Sequence, residues 1–179
     1  MSTIKIVSEK TILKDKIIEV KEQEIELPDG KKKIHHNVYR APTVSVFPLA
    51  DDDIYLISQY RYLYGKDSLE AMSGFMEEGE EPLFAAKREL KEETGLTAKD
   101  WYTLPVFEIA GSIVRGQMHL FWVKELEHGE TSFDDDEDIT LVKMPFAEAV
   151  AKVMSGKISH VATAVGILLL DKLRSEGKA

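Results

Sequence analysis

Cysteine is absent from this chain of 179 residues, which excludes disulfides and thiolate zinc sites. Long apolar runs are missing too. The longest, residues 161–170, is interrupted by Thr163 and Gly166 and falls short of the roughly 18–20 residues that cross a bilayer, so it reads as a buried helix and no membrane partner is expected. The N-terminal Met-Ser-Thr-Ile-Lys has no apolar signal-peptide core, and the expected compartment is the cytoplasm. Positive charge is in deficit. With 23 Lys and Arg against 32 Asp and Glu, the net charge is −9, whereas a general nucleic-acid binder shows a basic face; no nucleic-acid partner is expected. Repeats, low-complexity tracts and obvious linkers are lacking as well. What is present, 44% hydrophobic residues, is enough for a sizeable core, and 179 residues suit one domain, or one domain with a small appendage.

The order of elements reads as mixed α/β. Residues 3–40 alternate in the manner of strands, with a hairpin turn at Pro28-Asp29-Gly30. Residues 43–49 and 54–59 form two further strands around the acidic turn 50–53, and residues 69–72 a short strand feeding a glycine loop. A helix is expected from Pro82 to Gly95. Strands follow at 101–109, 118–123 and 139–144, then helices near 145–155 and 159–174. Helices packed on a central sheet are the expected architecture.

The most informative stretch is residues 74–96. Glu89, Glu92 and Glu93, at i, i+3 and i+4, share one helical face behind Arg88. Three like charges repel one another unless a cation sits among them, and hard divalent ions with oxygen ligands are the natural guests. Pro82 suits the first turn of a helix, Glu80 and Glu81 place negative charge near its N-terminus, and Gly95 suits a left-handed C-terminal cap. Phe84, Ala85, Ala86 and Leu90 supply an apolar face, leaving the glutamates free. By themselves such features describe most solvated Glu-rich helices.

The whole pattern is more specific. Gly-x5-Glu-x7-Arg-Glu-Leu-x-Glu-Glu-x-Gly-Leu is matched without a departure, and it resembles the signature of the Nudix hydrolase family. The resemblance implies an α/β/α sandwich with a mixed sheet over residues 41–179, plus an N-terminal antiparallel β-segment over residues 1–40. That segment resembles the one that ADP-ribose pyrophosphatases exchange with a partner chain, which implies a homodimer; a hairpin alone is only marginally stable.

Carried over by position, the resemblance implies that Glu89 and Glu93 are the principal metal ligands, with Glu92 on a second ion or a bridging water. The main-chain carbonyl of Ser73 completes the site. The implied cofactor is Mg²⁺, with Mn²⁺ as the alternative ion, and the implied chemistry is metal-assisted hydrolysis of a pyrophosphate. Arg88 has two readings, orienting Glu80 and the glutamates through its planar fork or touching phosphate, and the orienting role is the favoured one. The acidic run 134–138 resembles the acidic loop of ADP-ribose pyrophosphatases, with Glu137 as a further ligand and Asp135 as the general base. Asp135 is one methylene shorter than the glutamate that the family pattern more often has there.

Gln59-Tyr60-Arg61 ahead of Leu69-Glu70-Ala71-Met72-Ser73-Gly74 is similar to the approach in nucleoside-diphosphate-sugar hydrolases. It implies that Arg61 meets a diphosphate or terminal ribose and Glu70 a sugar hydroxyl. Arg40 is a further phosphate-contact candidate, and His35 a candidate for stacking on the base, with Tyr39 or Tyr64 as alternatives. The expected reaction is cleavage of a nucleoside diphosphate sugar, foremost ADP-ribose, to a nucleoside monophosphate and a sugar phosphate. Residues 109–112 lack the proline that ADP-ribose pyrophosphatases usually carry there, so GDP-mannose and UDP- or ADP-hexoses stay open. Nucleoside triphosphate or dinucleoside polyphosphate hydrolysis ranks next, and a non-catalytic ADP-ribose sensor last.

Overall fold

The computed structural model describes residues 3–128 and 139–179. The chain divides into two compact units, one running through Pro42 and taking in Phe107–Met118, the other made of Thr43–Val106 and the residues from His119 onward.

The first unit is a β-structure. Strands β1 (Lys5–Lys14), β2 (Ile18–Glu26) and β3 (Lys32–Arg40) form an antiparallel meander, so the first 40 residues hold two hairpins rather than one. Asp15 makes the first turn by accepting the Ile17 and Ile18 N–H groups at 2.7 Å each. Gly30, at φ 81°, closes the second. Two-residue strands β9 (Phe107–Glu108) and β10 (Val114–Arg115) complete the unit, β10 running parallel to β3 with Arg115 opposite Tyr39. Little of this unit is buried; all ten residues of β1 are exposed.

In the second unit the sheet runs β12-β5-β4-β11-β8, with β6 on β5 and β7 on β4. The strands are β4 (Thr43–Ala50), β5 (Asp53–Arg61), β6 (Lys66–Glu70), β7 (Met72–Phe75), β8 (Leu96–Thr103), β11 (Gln117–His128) and β12 (Ile139–Pro145). Alternation along β4 assigns its two faces. Val44 and Val46 join Ala85, Ala86 and Leu90 of helix α1 (Pro82–Thr94) in one core. Phe47 points the other way, on to helix α3 (Val161–Ser175), which packs with α2 (Phe146–Met154). A Cβ at Gly166 would overlap the Phe47 ring, so this glycine, an interruption in the sequence, is where the helix presses closest. The unit is an α/β/α sandwich.

Three local expectations are corrected. Strand β8 begins at Leu96, directly after the helix cap, and ends at Thr103 instead of running 101–109. Leu104 still donates its N–H to the Leu120 carbonyl at 2.9 Å, but Pro105 has no N–H with which to continue the ladder. The strand expected at 69–72 is two: the chain leaves β5 after Glu70 and joins β4 at Met72, and the Ala71 N–H between them donates to Thr163 Oγ1 at 2.8 Å. Phe84 is 68% exposed and takes no part in the core of α1.

Candidate active site

Helix α1 presents the acidic constellation. Pro82 opens it and Gly95 closes it in the left-handed conformation (φ 67°), donating its N–H to the Lys91 carbonyl at 2.8 Å. Glu81 sits at the N-cap without a side-chain hydrogen bond, and the first turn has no acidic residue. Glu80 turns its carboxylate to Arg88.

Arg88 is the hub. Its Nε and Nη2 grip the two Glu80 oxygens at 3.1 and 3.0 Å, Nη1 donates to Glu89 at 2.7 Å and Glu92 at 3.0 Å, and Nη2 also reaches the Phe75 carbonyl at 3.1 Å. The hydrogen bonds donated to Glu80, foremost, with the charge of Glu89 and the hydrogen bonds to Glu89 and Glu92, hold the guanidinium above its ordinary pKa against the opposing effect of burial. The same bonds hold Glu80 below the usual carboxylate range. The orienting role expected of Arg88 is thus what its geometry serves.

The glutamate face is not free, as the sequence pattern suggested. Glu89 and Glu93 are buried, at 9% and 5% exposure. Glu93 accepts the Ser73 N–H at 3.1 Å, and the Ser73 hydroxyl donates to Ser45 at 2.7 Å or Ala71 O at 2.9 Å. A Cβ on Gly74 would overlap the Glu89 carboxyl group, so only glycine leaves that carboxylate its place. One guanidinium therefore serves three carboxylates, with a fourth, Glu93, a helical turn on from Glu89. This surplus of half-buried, hard oxygen donors fits a divalent cation. Among the described residues no three acidic or histidine side chains converge closely enough to form a cage alone. Asp135 and Glu137, the expected base and further ligand, lie outside the described residues.

The expected substrate contacts divide between the units. Arg61 and Glu70 are together in the second: Arg61 donates from Nε and Nη2 to the two Glu70 oxygens at 3.0 and 2.7 Å, and His160 Nδ1 stands 3.7 Å from the same carboxylate. Burial alone would raise the Glu70 pKa, but Arg61, His160 and Ser68 outweigh it and hold the group below the ordinary range. Glu70 is 2% exposed and Arg61 is the more open partner. His35 is exposed on β3, across from Gln23. Arg40 ends β3, half-buried, and lines a cavity of the first unit together with Tyr39 and Arg115. His160 and Thr163 went unrecognised in the sequence; the one signal was a threonine breaking an apolar helix.

A model of the NUDIX domain matches residues 39–163. The chain is 30% identical over 176 residues to the ADP-ribose pyrophosphatase of Bacillus subtilis (strain 168), covering 94% of this chain and 95% of that protein. It is 26% identical over 170 residues to the methanol dehydrogenase activator of Bacillus methanolicus, covering 93% and 92%. The ADP compounds hydrolase NudE of Escherichia coli (strain K12) is 27% identical over 146 residues, covering 79% and 77%. Among solved structures, an ADP compounds hydrolase superposes with a TM-score of 0.86 over 98% of this chain and 97% of that one, at 23% identity, a likeness of fold.

Proposed function

The chain belongs to the NUDIX family, and from that premise we propose that it is a divalent-metal-dependent pyrophosphohydrolase that splits ADP-ribose into AMP and ribose 5-phosphate. The observation that carries the reading is the clamp on α1: Arg88 fixes Glu80, Glu89 and Glu92, while Glu93 is set by the Ser73 N–H. The names of relatives at similar identity, which include ADP-ribose pyrophosphatases and an ADP compounds hydrolase, support the substrate class.

Hydrolases of this family generally depend on a divalent metal. The Ser73 carbonyl, Glu89 and Glu93 would hold Mg²⁺, or Mn²⁺ in its place, with Glu92 and Glu137 as further ligands. Such an ion supplies charge neutralisation at the phosphate oxygens and acidifies a bound water. The chain's own residues do the rest. Arg88 keeps carboxylates that would otherwise repel one another in one register, so little rearrangement is needed when the ion arrives. Gly74 gives Glu89 room. Asp135 is proposed to take the proton from the attacking water. Glu70, buried and committed to Arg61, aims that guanidinium, and Arg61 is the group proposed to meet the diphosphate.

We also propose that the protein works as a homodimer. Strand β1 stands at the edge of its sheet with Ile6, Ile12 and Leu13 exposed, an arrangement that invites pairing with a second copy.

The test of the substrate is a turnover panel with Mg²⁺: ADP-ribose beside GDP-mannose, UDP-glucose and a dinucleoside polyphosphate, products separated by chromatography. AMP with ribose 5-phosphate as the fastest reaction supports the proposal. A faster hexose nucleotide or dinucleoside polyphosphate rejects it.

A further inference from the structure

The N-terminal half of helix α3 is apolar except for Thr163, and that threonine is fully buried. A hydroxyl inside a helix ordinarily bonds back to a carbonyl one turn earlier. Here it also reaches beyond the helix. Oγ1 accepts the Ala71 N–H at 2.8 Å, 92 residues away in sequence, and stands 2.9 Å from His160 Nδ1. A hydroxyl has two lone pairs and one proton, so it can take the Ala71 N–H and still meet the imidazole in either tautomer. The same Nδ1 lies 3.7 Å from Glu70 Oε2, the oxygen that accepts Arg61 Nη2 at 2.7 Å.

The Ala71 N–H belongs to the point where the chain passes from β5 to β4, so a side chain receives it in place of a strand. A buried N–H left unmet is costly, which is reason enough for a hydroxyl there. Its place in the chain adds a second consequence. Ser73 follows two residues on, roughly 7 Å along an extended strand. The Ala71 carbonyl accepts the Ser73 hydroxyl at 2.9 Å, and the Ser73 N–H donates to Glu93 at 3.1 Å. Any tilt of the Ala71 peptide is therefore passed to the Ser73 main chain and to the glutamate it holds. On the other branch, His160 limits where the buried Glu70 carboxylate settles, and with it the Arg61 guanidinium.

We propose that Thr163 and His160 are positioning residues that brace both halves of the site from α3. Thr163 fixes the strand that carries Ser73, and so sets the cation site. His160 backs Glu70 behind Arg61, and so sets the contact with the diphosphate. The assignment rests on the pyrophosphohydrolase reading, and the measurements are chosen so that either can fail without the other.

Mn²⁺ binding to the full chain without substrate, followed by electron paramagnetic resonance, is measured beside kcat and KM for ADP-ribose in Mg²⁺. Thr163→Val keeps the shape and removes the hydroxyl. It should weaken Mn²⁺ binding by about tenfold or more and lower kcat, with KM little changed. Thr163→Ser should restore both. Thr163→Cys, whose thiol accepts only weakly, replaces the valine variant if that one does not fold, and should shift both quantities in the same direction. His160→Leu removes no helix cap, since His160 makes no side-chain capping bond. It should raise KM by about fivefold and leave Mn²⁺ binding as in wild type. Mn²⁺ affinity and kcat of wild-type size in Thr163→Val overturn the proposal, as does an equal loss in Thr163→Ser or an unchanged KM in His160→Leu. ADP-ribose turnover by the wild type alongside any of those results leaves the hydrolase standing. Hydroxyl-dependent Mn²⁺ binding without turnover of any nucleotide sugar keeps the Thr163 brace and rejects the substrate, and the His160 branch with it.

Discussion

Helix α1 and strand β1 invert the usual rule of burial in opposite senses. On α1 the carboxylates of Glu89 and Glu93 are inside, while on β1 Ile6, Ile12 and Leu13 are outside. Each inversion is costly. A buried carboxylate without compensation loses several kcal/mol of hydration, and an exposed aliphatic side chain forgoes about 1.5–3 kcal/mol that burial would contribute. The two regions therefore lack different things. Arg88 relieves only part of the repulsion on α1, and the remainder favours a cation. Nothing charged would help β1, which lacks a second apolar surface. These two unfavourable burials are what the proposed cation on α1 and the proposed second copy on β1 would relieve.

Removing a charge from the buried side of this comparison should have the largest effect. Glu93→Gln keeps the shape and can still accept the Ser73 N–H, so folding should survive. The turnover number should fall by about a thousandfold, equivalent to about 4 kcal/mol of barrier. A near-wild-type rate in Mg²⁺ would remove Glu93 from the metal site. Gly74→Ala is the subtler probe. The new methyl group would overlap the Glu89 carboxyl, but that carboxyl ends a flexible side chain and can swing aside. Activity should drop by about a hundredfold from misplacement of one ligand, with Tm nearly unchanged. A large loss of Tm with retained activity would mean that Gly74 serves the backbone instead.

How much of this could be read from residues alone differs between the two regions for a physical reason. The α1 constellation is local: spacing of 3.6 residues per turn places Glu89, Glu92 and Glu93, Pro82 and Gly95 mark its ends, and Arg88 has its carboxylate partners within eight residues. Its burial was not legible, because the Ser73 N–H and the Gly74 surface that cover it come from β7, a strand whose placement depends on the sheet. The pairing of Glu70 with Arg61 was hidden likewise, since the register of β5 on β6 decides it. Strand β8 was misplaced at its start because Thr97, Lys99 and Asp100 mask the pattern that pairs it with β11. The Tyr39 cavity joins β3 to β10, more than seventy residues apart in sequence, and no local signal could announce it.

The exposed side of the comparison is broken by charge. Ile6→Asp with Ile12→Asp places two carboxylates on β1, where both side chains already face solvent, so the subunit should fold as before. If β1 is covered by a second copy, light scattering should show the mass fall from two subunits to one. An unchanged mass, whether of a dimer or of a monomer in both proteins, would reject β1 as the contact.

The smallest effect expected distinguishes inside from outside by pH. Glu70 and Glu9 both have their pKa held below the ordinary 4.5, Glu70 despite burial and through Arg61, Glu9 through hydrogen bonds from Lys21 and Gln23. A carboxyl group with a depressed folded-state pKa contributes stability that is present above its ordinary pKa and lost as pH falls through the folded value. Both should therefore weaken the fold only in the acid range, below about pH 4.5. They part company in salt. Glu70 is 2% exposed, so its ion pair is poorly screened, and Glu70→Gln should flatten the acid limb of the stability curve at low and high ionic strength alike. Glu9 is 48% exposed, so ions reach its pair with Lys21, and the effect of Glu9→Gln should shrink in 1 M NaCl. Urea midpoints at pH 3.5, 5 and 7, each with and without salt, give the answer. A Glu70→Gln effect that salt removes would mean that the Arg61–Glu70 pair is open to water, and that Glu70 cannot be what aims Arg61.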